Sequence, residues 1–199
     1  INLQNEINFL REKNIQLSLQ VDDLIQSGLQ NEYLKKLLNF KEESTYNIRT
    51  AKVINLGTGP IFSSLTIDLG SKDGIKKNLP IITTNGIVGK TILINEETSL
   101  VQTINDANFR LSVKILPSEA TGIMRFYDND AFEIREIQKN ANINIGDKVV
   151  TSGFSKIYPE GLNAGVITEI IDNRGSFQKV ARSKNPYSEN YNLYVFVVQ

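Results

Sequence analysis

The stretch GDKVVTSGFSKIYPEGLNAG, residues 146–165, decides how this chain is read. It carries an acid at Asp147, hydroxyls at Thr151 and Ser152, and glycines at 146, 153, 161 and 165. Read as chemistry, Ser152 beside Gly153 is a nucleophile. A serine hydroxyl needs a base within hydrogen-bond reach and an oxyanion hole. The 199 residues contain no histidine, so a Ser-His-Asp triad is impossible on this chain. The G-x-S-x-G elbow is also missing. Only a Ser-Lys dyad with Lys148 or Lys156 is left. Read as structure, Gly146-Asp147 turns the chain into a strand. Val149 and Val150 fill a barrel, and Thr151 and Ser152 hydrogen-bond backbone at the strand end. Tyr158-Pro159-Glu160-Gly161 makes a second turn, and Gly165 opens the next strand. On this reading Phe154 and Tyr158 sit on an inserted loop that can meet a partner.

An echo of the stretch lies upstream. Ile75-Lys-Lys-Asn-Leu-Pro-Ile-Ile-Thr83 runs into Gly86-Ile-Val-Gly89, as Ile143-Asn-Ile-Gly-Asp-Lys-Val-Val-Thr151 runs into Gly161-Leu-Asn-Ala-Gly165. In both, a turn precedes an apolar strand ending in threonine, and glycine precedes the next strand. The second copy carries about eight extra residues, 152–160. Convergent hairpin chemistry is the alternative to a repeated unit.

From Thr45 onward short β-branched runs alternate with Gly, Asn, Asp and Pro clusters, the pattern of an all-β sandwich or barrel. Strands are expected over 50–56, 64–69, 80–84, 87–94, 100–104, 111–116, 120–126, 132–137, 148–151, 166–171, 178–182 and 192–198. About twelve short strands predict two small barrels of about six strands each. Pro80 suits an edge or the start of a strand.

Residues 1–43 have a different texture, with no proline and one glycine. Leu3, Ile7, Leu10, Leu17, Val21 and Leu24 alternate steps of four and three, with Asn14 in the gap. This is a heptad seam with leucine at d and β-branched residues or Asn14 at a, a pattern that favours a parallel two-stranded coil with fixed register. Glu6 and Arg11 fall at g and e, where they attract between chains. The seam breaks at Ser27-Gly28 and resumes shifted, with Leu34, Leu37, Leu38 and Lys41, which predicts a bend or stutter. Packing of one amphipathic helix on the following domain is the alternative to self-association.

Lysine plus arginine equals aspartate plus glutamate at 22 each, so no surplus cation addresses nucleic acid. No polybasic cluster addresses a membrane. There is no cysteine, which removes disulfides and thiolate metal sites. No metal or cofactor site is expected. Asp128-Asn129-Asp130 lacks calcium-loop spacing and reads as a hairpin turn. Gly57-Thr58-Gly59-Pro60 has no following lysine or helix and reads as a strand connection. Asp68-Leu-Gly70-Ser71-Lys-Asp73-Gly74 reads as a tight turn, with positive φ at Gly70 and Gly74 and a side-chain bond from Ser71 or Asp73. Phe126, Tyr127, Phe154 and Tyr158 form a candidate partner surface, with barrel filling as the alternative. No run of eighteen apolar residues is present, and the chain reads as a soluble fragment of something longer.

The ordered motifs resemble the rod shape-determining protein MreC family. They are the coiled coil, Ile67-Asp68-Leu-Gly70-Ser71-Lys-Asp-Gly74-Ile75, Gly86-Ile-Val-Gly89, Ser99-Leu-Val101 with Asp106, Gly146-Asp147-Lys-Val-Val-Thr151-Ser152-Gly153, Tyr158-Pro159-Glu-Gly161-Leu162, and Gly165-Val-Ile167. Together they run through nearly the whole chain. The resemblance implies a mainly β protein: a coiled-coil helix over 1–43, a first six-stranded barrel over 44–116 and a second over 117–199. The strand within 190–199 can close either barrel. The barrels would be arranged like a chymotrypsin-type fold without catalytic residues. The resemblance further implies a non-enzymatic scaffold of bacterial cell elongation and peptidoglycan synthesis. It would self-associate and bind a penicillin-binding transpeptidase and other shape-determining membrane proteins. It would sit on the extracytoplasmic (periplasmic) face of the inner membrane, anchored by a helix upstream of Ile1. Two departures stand out: Tyr158 where the family often has phenylalanine, and Asn78 with Pro80 where it often has glycine. Two other classes compete. A periplasmic efflux adaptor would need a second helix to form a hairpin, and a serine hydrolase would need a base for Ser152.

Overall fold

The computed structural model describes residues 3–58, 63–128, 131–184, 186 and 194–199, with the side chains of Leu3 and Asn5 left out. The chain forms two compact units, Ile1–Thr45 and Tyr46–Gln199.

The first unit is one α-helix, α1 (Leu3–Glu43). Its 41 residues span about 62 Å at 1.5 Å each. Glu6 in its first turn and Lys41 in its last complement the helix dipole. The helix runs on through Ser27-Gly28 unbroken. A Cβ added at Gly28 would meet nothing, so this glycine answers to no packing demand.

The second unit holds twelve strands: β1 (Ile48–Thr58), β2 (Ser63–Ile67), β3 (Pro80–Ile82), β4 (Ile87–Ile94), β5 (Ser99–Thr103), β6 (Leu111–Leu116), β7 (Ala120–Phe126), β8 (Ala131–Gln138), β9 (Lys148–Thr151), β10 (Asn163–Ile171), β11 (Gln178–Lys184) and β12 (Tyr194–Val198). All pairings are antiparallel. They close two six-stranded barrels, β1-β12-β3-β4-β5-β2 and β10-β11-β8-β7-β6-β9. Closure leaves no ladder edge open to a stray strand.

Membership differs from the division at 116 in one respect. β6 pairs with β7 and β9, so residues 111–116 belong to the second barrel. Its pattern of alternate burial gives no hint of which sheet it joins, because partner choice is non-local. The C-terminal strand β12 pairs with β1 and β3 and closes the first barrel. The second barrel is thus inserted between the fifth and sixth strands of the first.

The two barrels share one strand order. Started at β12, the first reads β12-β1-β2-β5-β4-β3; started at β6, the second reads β6-β7-β8-β11-β10-β9. β3 and β4 therefore match β9 and β10, the strands of the sequence echo. The hydrogen bonds match position by position. Asn78 N donates to Thr91 O and Thr91 N to Leu79 O, as Gly146 N donates to Ile167 O and Ile167 N to Asp147 O. Asn78 and Gly146 both take positive φ, 66° and 95°. Asparagine tolerates that region, which explains the departure from glycine there.

Gly89 and Gly165 are a further matched pair. Each is the third residue of its strand, and an added Cβ would overlap a backbone carbonyl of the neighbouring strand, Gln102 O or Lys184 O. Glycine lets the two backbones approach there.

The cores follow from alternation of inward residues. Ala51, Leu65, Ile67, Ile81, Val101, Val195 and Val197 fill the first barrel. Leu111, Val113, Ile115, Met124, Phe132, Ile134 and Val149 fill the second. Ile87 and Ile104 of the first barrel's segment join the second cluster, so the barrels share packed apolar surface. Pro80 stands at a strand start, where its missing N–H costs no ladder bond.

Candidate functional site

The opening stretch resolves into structure. Gly146 takes φ 95°, and Asp147 Oδ2 accepts from Asn144 N at 2.8 Å, closing the turn into β9. Val149 is fully buried in the second barrel's core, and Val150 is buried beside it. Thr151 is fully buried. Its Oγ1 donates to Pro159 O at 2.5 Å and accepts from Leu162 N at 2.9 Å. One hydroxyl thus ties the C-terminal end of the 152–161 loop back to the end of β9.

Ser152 is also buried and is used for structure. Its Oγ donates to Ser112 Oγ at 2.8 Å and accepts from Phe154 N at 3.3 Å. Among the described residues no base hydrogen-bonds to it. Lys148 is exposed at the far end of β9, and Lys156 is exposed on the loop. Lys114, one strand over, is bound to Glu160, and that hydrogen bond raises its pKa above the usual lysine value against the opposing cost of burial. Among the described residues no group of acids could hold a metal.

Gly153 and Gly161 take φ 75° and 91° at the loop's two bends. Gly165 takes φ 130° where the β9–β10 register shifts, so it lies inside β10 rather than at its start. The upstream turn needs one correction. Gly74 has φ 81°, but Gly70 has φ −135° and is not left-handed. Glycine is required at 70 for space, because a Cβ would collide with the backbone of Asn95 and Glu96. Ser71 uses its backbone N there, donating to Asn95 O. Asp73 supplies the side-chain bond: Oδ2 accepts from Gly70 N at 3.0 Å, and Oδ1 pairs with Arg49 at 2.9 Å. Asp68 Oδ1 accepts from Lys52 N at 2.7 Å. Gly86 takes φ 148° and packs on Asn163 O, joining the β3–β4 turn to the second barrel.

The four aromatics do not share one environment. Tyr158 is 4% exposed and belongs to the core, edge-on to Phe109 with ring centroids 6.3 Å apart. It is barrel filling, not surface. Its hydroxyl has no hydrogen-bond partner among the described residues, and burial pushes its pKa far up. Phe126 is half-buried against Phe132. Phe154 is 75% exposed and Tyr127 is 46% exposed. These two are the exposed aromatics of the set. Tyr127 is held in place by Arg182, which lies 4.3 Å over the ring and donates to its hydroxyl at 2.9 Å.

Arg182 belongs to a row that sequence reading misses. Arg125, Glu133, Arg182 and Glu169 stand directly opposite one another across β7, β8, β11 and β10. Charges alternate along the row, with Arg182 Nη1 to Glu169 at 2.7 Å and Arg125 Nε to Glu133 at 3.6 Å. The signal exists only once pairing register is known.

Along α1 the side chains of Ile7, Leu10, Asn14, Leu17, Val21 and Leu24 are all exposed. Leu24 reaches 72% and Leu10 58%. The side chain of Leu3 lies outside the described residues, as do Gly59, Pro60, Asn129 and Asp130. Asp128 Oδ1 accepts from Ala131 N at 2.9 Å, as a turn residue does. No helix among the described residues is long and apolar enough to cross a membrane.

Comparison with known proteins gives a consistent answer. The family model "Rod shape-determining protein MreC, barrel core" matches residues 53–199. The cell shape-determining protein MreC of Listeria monocytogenes is 27% identical over 198 residues, 96% of this chain and 67% of that protein. The chain spans about half the length of the next two curated relatives. A solved Listeria MreC structure superposes with a TM-score of 0.72 at 25% identity, covering 96% of this chain and 93% of that one. MreC from Helicobacter pylori, solved in complex with penicillin-binding protein PBP2, shares the fold with a TM-score of 0.63 at 19% identity, covering 78% of this chain and 99% of that one.

Proposed function

The chain belongs to the rod shape-determining protein MreC family, and on that premise we propose that it is a non-enzymatic scaffold of bacterial cell elongation. The observation that carries the proposal is α1, whose heptad side chains from Ile7 to Leu24 are exposed. An apolar seam at 3.5-residue spacing is satisfied by a second helix of the same kind. The proposed partner on that seam is a second copy of the chain. Two pairs of rigid barrels would then be presented on one stalk, on the extracytoplasmic face of the inner membrane, anchored by a helix N-terminal to Ile1.

The barrels would position a penicillin-binding transpeptidase and other shape-determining membrane proteins. The complex of the Helicobacter relative with PBP2 supports that class of partner. Of the four candidate aromatics, the exposed pair Phe154 and Tyr127 are the proposed contacts, and Tyr158 is not. Photoreactive amino acids at 127 and 154 of the full-length protein in growing cells test this. Capture of a penicillin-binding transpeptidase from either position supports it. Capture of no cell-wall synthase or elongation protein from both positions overturns the assignment of these surfaces.

A further inference from the structure

Glu160, in the loop between β9 and β10, is held from several sides, and one hold comes from outside the second barrel. Tyr46 Oη donates to Glu160 O at 2.8 Å, across 114 residues of chain. Lys114 of β6 holds the Glu160 carboxylate. Gly153 lies against Glu160 from the loop's other limb: a Cβ there would come 2.9 Å from Glu160 Cβ and 3.5 Å from its Cα and N. The residue after Gly153 is Phe154, the exposed aromatic proposed above as a partner contact.

Tyr46 precedes β1, the first strand of the first barrel. The chain is fixed directly after it, because Asn47 O accepts from Gln199 N at 2.9 Å and Ile48 pairs with Val198. Tyr46 therefore stands on the first barrel and reaches the second. The limb it touches has further ties: Thr151 binds Pro159 O and Leu162 N, and Asn163 Nδ2 donates to Asn85 O. The limb that carries Phe154 has local ones, Phe154 N to Ser152 Oγ at 3.3 Å and Ile157 N to Ser155 Oγ at 3.1 Å. These lie at the long end of the hydrogen-bond range and constrain the apex weakly. The close approach of Gly153 to Glu160 is what relates the apex to the firmly tied limb.

We propose that Tyr46 is a positioning residue for the Phe154 contact, an inference that rests on reading Phe154 as a partner contact. The Tyr46 hydroxyl fixes the Glu160 carbonyl, Glu160 limits where Gly153 can go, and Gly153 sets the direction in which the Phe154 ring is presented. An aromatic anchor binds best when it is ordered before the partner arrives, because the cost of ordering it is then already met. α1 ends at Glu43, so only Ser44 and Thr45 separate the helix from this tie. The same bond thus joins the exit of α1 to the contact loop.

Tyr46→Phe tests this, because it keeps the ring and removes only the hydroxyl. The bond is exposed, so the 199-residue variant should melt with the parent chain. Amide hydrogen exchange read by NMR should be about twofold to tenfold faster at Phe154 and Ser155, the range one hydrogen bond supplies. Val149 and Val150 in β9 should exchange as in the parent. In growing cells, the full-length protein with a photoreactive residue at 154 should capture less penicillin-binding transpeptidase in the Tyr46→Phe background, while capture from 127 holds. Unchanged exchange at 154 and 155 would overturn the proposal. So would undiminished capture from 154, or an equal loss from 154 and 127, which would mark a general loosening. A parent protein that captures no transpeptidase from 154 would sink the contact reading alone, and the exchange rates would still decide whether Tyr46 holds the loop.

Discussion

Replacing Thr151 by valine asks most directly whether residues 146–165 are a structural staple. Valine keeps the shape and loses the hydroxyl. In the parent chain Thr151 Oγ1 is fully buried, donates to Pro159 O and accepts from Leu162 N. The Leu162 N–H is the costly orphan, because that bond is buried and Leu162 is 6% exposed. A buried donor left without a partner costs about 1–3 kcal/mol. Pro159 is half-exposed, so water can replace part of the second bond. The expected total is about 2–3 kcal/mol, or a fall in melting temperature of about 4–12 °C for a unit of this size. Thr151→Ser is the control. It keeps the oxygen and loses one methyl, at a cost of about 1 kcal/mol. Urea melts followed by circular dichroism and tyrosine emission would rank the variants parent, then serine, then valine. Valine equal to or more stable than serine would refute the staple.

Other consequences follow from the same structure. Tyr158→Phe removes a buried hydroxyl that has no partner among the described residues, so the variant should match or exceed the parent by about 1 kcal/mol in the same melts; a loss of that size would mean the hydroxyl is satisfied. Gly165→Ala meets both a φ of 130° and the Lys184 carbonyl, and should cost about 2–4 kcal/mol. Gly161→Ala meets only its φ of 91° in open space and should cost less; equal losses would discredit the close-approach argument. Asp172 has its pKa lowered, first by its hydrogen bond from Lys139, against burial, and by the charges of Lys139 and Lys179. A depressed carboxylate stabilises above its ordinary value of 3.8 and stops doing so as pH falls through its folded value. Asp172→Asn should therefore lower the urea midpoint at neutral pH and converge with the parent below the carboxylate range; a gap that persists in acid would assign the effect to packing.

The strands were readable because their cues are local. Alternating Val, Ile and Thr bounded by Gly, Asn and Pro place β4, β6, β7 and β9 to the residue. The echo between 75–89 and 143–165 survives as matched hydrogen bonds, because a turn, a strand and a glycine are also local chemistry. What sequence hides is pairing. Nothing in Leu111–Leu116 announces β7 and β9 as its neighbours, and the Arg125–Glu133–Arg182–Glu169 row appears only with register. Tyr158 beside a Pro-Glu-Gly turn reads as loop surface, yet the turn folds its ring onto Phe109. Gly70 shows the same limit: glycine in a turn suggests positive φ, while the actual demand is room for the Asn95–Glu96 backbone.

Self-association through α1 is the centre of the scaffold account, and sedimentation equilibrium of the 199-residue chain measures it. The account predicts a dimer whose dissociation constant rises sharply in Leu10→Asp/Leu17→Asp, since both side chains are more than half exposed in the single chain and would be buried in the pair. Asn14→Leu should change the oligomer order or register, because the asparagine at this a position specifies two parallel strands at a cost in stability. A parent chain that stays monomeric at high concentration, with both variants indistinguishable from it, would contradict the account.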